Sequence, residues 1–161
     1  MSDITLTIDG RTVHAAPGTT ILEAARSIGI KIPTLCWHED LGAPSACRVC
    51  VVEIVGARIL QPACSYPVSQ GITVRTNSPV VREARRMAVE LLLAHHPDDC
   101  LSCARNLRCE LQQLASDLGI REIRFERIER GLPKDESSPS IVRDPEKCIN
   151  CRRCVEACEK V

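Results

Sequence analysis

The sequence predicts an α+β protein built as small modules in series, and three observations carry that expectation. A strand-turn-strand pattern and a capped amphipathic helix open the chain, two more helical patterns follow residue 78, and eleven cysteines with one histidine sort into three groups in chain order. One domain would suffice for 161 residues, but three separated groups favour successive modules. Only Trp37, Tyr66 and Phe125 are aromatic, so Val, Ile, Leu and Ala must fill the interior, with bound metal as a further staple for each small module. Formal charge is zero, from 21 basic and 21 acidic residues, which removes the general electrostatic case for nucleic acid or an anionic membrane as partner.

Residues 4 to 8 (Ile-Thr-Leu-Thr-Ile) alternate as a half-buried strand does, Asp9-Gly10 supplies a hairpin turn, and Thr12 to Ala15 return as its partner. Thr20 and Glu23 have the spacing of a capping box, Ile21, Leu22, Ala24, Ala25 and Ile28 give the helix an apolar face, and Gly29 stands at its stop. Hairpin then helix is the opening of a ubiquitin-like, β-grasp sheet. Pro33 ends regular structure before Cys36, and residues 36 to 50 read as a loop. Strands are expected over Val51 to Val55, Ile59 to Ala63 and Ile72 to Thr76, with Gly56-Ala57 as a turn. Ser78 and Pro79 mark a helix start; Val81, Ala84, Ala88, Leu91, Leu92 and His95 share one face of that helix, which leads to His96 at its end and stops at Pro97. A further helix follows Cys109, with Leu111, Leu114, Ala115 and Leu118 inward and Gly119 as its stop. Residues 121 to 140 are charged and then polar, a linker whose path the sequence leaves open.

The chemistry lies in the cysteines. His96-x3-Cys100-x2-Cys103-x5-Cys109 is a complete set of four ligands within fourteen residues. Upstream, Cys36, Cys47, Cys50 and Cys64 follow the order of a plant-type ferredoxin site for a [2Fe-2S] cluster, although ten residues replace four in the first gap. Downstream, Cys148-x2-Cys151-x2-Cys154-x3-Cys158 matches the bacterial ferredoxin run for [4Fe-4S] binding, with Glu159 where proline usually follows. No cysteine is left over, and an odd count of eleven excludes complete intrachain disulfide pairing. Zinc remains open at the first two groups, since four thiolates, or three thiolates with one imidazole, suit Zn²⁺ as well, and His95 is a rival ligand one residue from His96. Were the middle group a cubane, imidazole in place of one thiolate would leave it less negative and raise its reduction potential, with Arg105 and Arg108 adding to the shift.

Taken together, Pro33-Thr34-Leu35-Cys36, Cys47-Arg48-Val49-Cys50, the His96 to Cys109 run with Glu110-Leu111-Gln112, Gly119-Ile120-Arg121, and Val142-Arg143-Asp144 leading to Cys148 carry a resemblance over essentially the whole chain. The chain resembles the amino-terminal iron-sulfur region of the catalytic subunit of NAD(P)-linked, electron-bifurcating [FeFe] hydrogenases and the related 75 kDa subunit of respiratory complex I. The resemblance implies a [2Fe-2S] domain over 1–78 (Cys36, Cys47, Cys50, Cys64) and a helical [4Fe-4S] domain over 79–120, with one histidine and three cysteine ligands (His96, Cys100, Cys103, Cys109). It further implies a linker over 121–140 and the start of a [4Fe-4S] ferredoxin module over 141–161. In that module Cys148, Cys151 and Cys154 serve one cluster and Cys158 a second, and the stop at Val161 leaves both expected to be incomplete.

The implied function is electron relay between an NAD(P)- and flavin-binding partner subunit and a hydrogenase catalytic centre elsewhere, with no catalytic residue in this chain. Small ferredoxin-like subunits are further implied partners, and similar regions serve NAD-linked formate dehydrogenases and complex I. A zinc-stabilised interaction protein is the reading from another class. The amino terminus lacks a secretory signal and no stretch reaches the roughly 18 apolar residues of a membrane span, so a cytoplasmic protein is expected.

Overall fold

The structure is a computed structural model and describes residues 3–160. It divides into two compact units: the chain up to Arg85 together with the residues from Arg152 onward, and Arg86–Cys151.

The first unit is organised by a five-stranded sheet of order β2-β1-β5-β3-β4. Strands β1 (Ile4–Ile8) and β2 (Arg11–Ala15) form the expected hairpin, with Ile8 opposite Arg11. That register leaves two residues for the turn, and Asp9 and Gly10 both adopt the left-handed backbone (φ 47° and 81°) that suits a type I′ hairpin. Leu6, Ile8 and Val13 face inward and meet Ile21, Leu22 and Ala25 of α1 (Ile21–Ser27) in one core, each large aliphatic side chain contributing about 1.5–3 kcal/mol by burial. Both halves of the capping box are present: the Glu23 backbone N–H donates to Thr20 Oγ1 (3.3 Å) and the Thr20 N–H to Glu23 Oε2 (2.8 Å).

The later strands are shorter than expected. β3 spans Val51–Ile54, β4 only Gln61–Pro62 and β5 Thr73–Arg75. Ile59, expected in a strand, is 69% exposed, and Pro62 has no N–H to extend a ladder. β5 runs parallel to β1 (Thr7 opposite Thr73, Ile8 opposite Val74) and antiparallel to β3.

Helix α2 (Pro79–Ala94) starts where Ser78 and Pro79 place it, but its buried face differs from the apolar stripe in the sequence. Val81, Arg85, Val89, Glu90 and Ala94 are buried, whereas Leu91 and His95 are exposed. Two charged residues hold interior positions, so a count of apolar residues alone selects the wrong side. In the second unit the wholly buried Glu90 carboxylate accepts from Arg86 Nε (2.9 Å) and Arg124 Nε (2.7 Å). Burial alone would raise its pKa; the two guanidiniums outweigh that and hold it below the usual carboxylate range.

Helix α3 (Glu110–Asp117) buries Leu111 and half-buries Leu114, Ala115 and Leu118, and Gly119 (φ 63°) follows its end. The segment after it is tied down by backbone groups. Ile128 N–H donates to Ala94 O (3.0 Å), and Arg130 and Leu132 N–H donate to the Glu146 carboxylate (3.3 and 3.0 Å). A 3-10 turn, Pro145–Lys147, precedes Cys148, and α4 (Arg153–Lys160) carries Cys154 and Cys158 one helical turn apart.

Candidate metal centres

At the first centre, the helix α1 and strand β3 hold the two ends of the 36–50 loop. Cys36, Cys47, Cys50 and Cys64 are all buried, and Cys50 and Cys64 belong to the hydrophobic core itself. Cys50 Sγ lies 3.3 Å from Cys64 Sγ, and Ser45 Oγ 3.5 Å from the same sulfur. Cys36 in turn lies within hydrogen-bonding reach of Cys47 and Cys64, so all four sulfurs are linked by contacts with one another. Among the described residues no three His, Cys, Asp or Glu side chains are grouped as ligands of a single metal ion. Backbone N–H groups of Cys47 and Ala46 are directed to Cys36, and non-glycine residues Ser45 and Arg48 take positive φ (53° and 56°) to turn the loop around the sulfurs. Hydrogen bonds from Cys47 and Cys64 push the Cys36 pKa down, and the bond from Cys64 lowers that of Cys50 to about 7. Donation to Cys36 pushes the Cys47 pKa up, and donation to Cys36 and Cys50 does the same for Cys64. Four buried, mutually contacting soft donors, supplied with backbone N–H groups, fit an iron-sulfide group held by four thiolates.

The second unit carries His96, Cys100, Cys103 and Cys109 on a run of tight turns between α2 and α3. Ser102 N–H bonds to Asp99 O, Cys103 N–H to Cys100 O and Asn106 N–H to Cys103 O. Gln112 closes the loop, accepting from Leu107 N–H (2.9 Å) and donating to Asn106 Oδ1 (2.9 Å). Cys109 is the N-cap residue of α3 without a side-chain cap bond. Partial burial raises the Cys100 pKa, as do the charges of Asp98, Cys109, Asp99 and Cys103 around it. His96 Nδ1 lies 3.0 Å from Pro97 O, and His95 Nδ1 2.9 Å from Leu91 O. A carbonyl only accepts, so in each ring Nδ1 carries a proton and Nε2 is the nitrogen left for another partner.

Of the third run, Cys148 and Cys151 lie in the second unit and Cys154 and Cys158 in the first. Asn150 and Arg152 adopt positive φ (53° and 62°) between these cysteines. Lys147 Nζ donates to Asp99 Oδ2 (2.6 Å), joining the residue before Cys148 to the residue before Cys100, and Arg130 Nη2 donates to the carbonyls of Glu146 and Cys148 (both 3.1 Å). Neither link is flagged by the cysteine spacing, although Asp99 and Lys147 each stand one position from a ligand candidate. All eleven cysteines are free thiols.

Comparison with known proteins places iron-sulfur binding regions along the chain. Residues 2–79 match the model of a 2Fe-2S iron-sulfur cluster binding domain, 85–124 an NADH-ubiquinone oxidoreductase-G iron-sulfur binding region, and 141–160 a 4Fe-4S binding domain. The chain is thus an iron-sulfur protein with [2Fe-2S] and [4Fe-4S] binding domains in series. It is related to the NADP-reducing hydrogenase subunit HndD of Solidesulfovibrio fructosivorans (48% identity over 100% of the chain and 28% of the relative) and to the G 2 subunit of NADH-quinone oxidoreductase of Rhizobium meliloti (41%, over 98% and 19%). The NADPH-Fe(3+) oxidoreductase subunit alpha of Geobacter sulfurreducens is 40% identical over 95% of the chain and 18% of its own length. A chain in the crystal structure of an NAD⁺-reducing [NiFe]-hydrogenase in the H2-reduced state superposes with a TM-score of 0.92 at 36% identity, over 98% of this chain and 66% of that one. The chain therefore spans less than a third of each of these three curated relatives. Among the described residues no helix is long and apolar enough to cross a membrane.

Proposed function

We propose that the chain is an electron-transfer module of an NAD(P)-linked oxidoreductase complex, relaying electrons between a flavin- and NAD(P)-binding subunit and a hydrogenase catalytic centre. The observation that carries this reading is the burial together of four sulfurs beside the sheet, joined in the same chain by two further cysteine sets. Cys36, Cys47, Cys50 and Cys64 hold the [2Fe-2S] cluster within a β-grasp domain over 1–78, a reading supported by the sheet order β2-β1-β5-β3-β4 with α1 packed on it. His96, Cys100, Cys103 and Cys109 hold a [4Fe-4S] cluster in the 79–120 domain. After the 121–140 connection, Cys148, Cys151 and Cys154 begin a ferredoxin module over 141–161, with Cys158 for a further cluster.

When bound, such clusters accept and release single electrons. The chain's own residues bury the first sulfurs from water, present N–H groups to them, and hold the His96 ring by its Nδ1 on the Pro97 carbonyl. Eleven free thiols suit a reducing compartment, so we place the protein in the cytoplasm. The likeness to the NADP-reducing hydrogenase favours hydrogen as the substrate at the far end; the likeness to the NADH-quinone oxidoreductase favours a complex I-like assembly as second reading.

Anaerobically purified protein is expected to be brown, with visible absorption and iron in large excess over zinc. A colourless, zinc-loaded sample would overturn the relay in favour of a zinc-stabilised interaction protein.

A further inference from the structure

One charged side chain reaches the interior of the first unit and plays no part in ligation. Arg85, on α2, is only 6% exposed. Its Nη2 donates to the Val51 carbonyl at 2.9 Å, and its buried Nε has no acceptor among the described residues. Strand register explains the first contact: Glu53 opposes Arg75 and Ile54 opposes Val74, so residue 77 would face Val51, but β5 ends at Arg75. The guanidinium takes the place of the missing strand partner.

A carbonyl needs only a neutral donor, and sealing a guanidinium away from water costs free energy that one hydrogen bond does not offset. The charge therefore calls for a second explanation, and the neighbour supplies it. Val51 directly follows Cys50, whose side chain is buried in the hydrophobic core and whose charge acts on the guanidinium. We propose that Arg85 is a positioning residue that sets the reduction potential of the cluster held by Cys36, Cys47, Cys50 and Cys64. A fixed cation beside one ligand stabilises the reduced, more negative state and raises the potential, and its burial spares it from screening by salt. Burial lowers the guanidinium pKa to about 10, with the charges of Cys50 and Asp9 opposing that fall, so the group stays cationic at neutral pH.

This inference rests on the assignment of those four cysteines as ligands, and the experiment separates the two. Wild-type protein is first checked for a reduced [2Fe-2S] electron paramagnetic resonance signal, at a temperature where [4Fe-4S] signals are broadened away; its absence sinks the assignment itself. With the signal present, redox titrations follow on Arg85→Gln, Arg85→Met and Arg85→Lys. The expected result is a shift to lower potential in both neutral variants, at unchanged signal intensity, and recovery toward the wild-type value in the lysine variant. An unchanged potential in either neutral variant overturns the proposal. Should both neutral variants fail to assemble the cluster, Arg85→Lys decides: wild-type potential and cluster content support the role of charge. Loss of the cluster or a lowered potential in that variant shows that the position supplies donor shape only.

Discussion

His95 and His96 are adjacent, and each donates Nδ1–H to a carbonyl, yet their surroundings differ in a way that separates their roles. The His95 ring is bound back to Leu91 on its own helix and is exposed, whereas His96 lies past the helix end, half-buried, bonded within the loop that carries Cys100. The Asp99 carboxylate, one position before Cys100 in that loop, is held below the usual range chiefly by the hydrogen bond from Lys147. Replacing His96 by alanine is therefore expected to alter the [4Fe-4S] signal of reduced protein, and replacing His95 to leave it unchanged; the reverse pattern would move the ligand one residue back. Spacing favours His96, but the apolar helix face expected to occupy His95 does not do so, because at Leu91 and His95 that face is exposed. Cysteines are legible because their chemistry narrows their uses. Arg85 and Glu90 are not, because a charged residue in an amphipathic pattern reads as surface until its partners from distant segments are known.

At the scale of elements, local signals carried furthest. The hairpin turn and the capping box are decided within four residues of sequence, and both stand where the pattern puts them. β4 and β5 are decided by pairing partners elsewhere in the chain, which the alternation of a short strand does not encode. The 121–140 segment shows no periodicity because side-chain acceptors such as Glu146 fix part of its backbone. Helix α2 offers a test of its polar interior. The Glu90 pKa is lower in the folded protein than the ordinary value of 4.5, so its ion pairs stabilise the fold above about pH 4.5, and this contribution is lost as pH falls through the folded value. Glu90→Gln should cost about 1 kcal/mol at pH 7, the low end for bonds to a charged group because Arg86 and Arg124 are 40% and 50% exposed. Thermal melts by circular dichroism should show the gap to wild type closing below pH 4.5; a constant gap down to pH 4 would assign the effect to shape rather than charge.

For the whole molecule, the series of [2Fe-2S] and [4Fe-4S] binding regions was legible, and the grouping of the last residues with the first unit was not. Residues from Arg152 onward belong with the first unit, where Arg153 Nη2 donates to Trp37 O (3.2 Å) and Lys160 Nζ to Asp40 O (3.0 Å). Such contacts join positions more than a hundred residues apart, and no local pattern forecasts them. The third run is expected to serve two clusters rather than one, with Cys158 apart from Cys148, Cys151 and Cys154. Cys151→Ser and Cys158→Ser should then each lose a different resonance signal. Identical losses would show that all four cysteines close a single site.

The parallel pairing of β1 with β5 sets a timetable for assembly. Ile8 must find Val74, and every candidate ligand of the first centre lies in the loop which that pairing closes. Contacts so remote in sequence form slowly, because the entropy of closing a long loop must be overcome before they stabilise anything. A chain emerging from the ribosome thus displays Cys36, Cys47, Cys50 and Cys64 as separate, solvent-facing thiols until β5 has been made and joined to the edge of β1. Until then these thiols are open to oxidation and to stray metal.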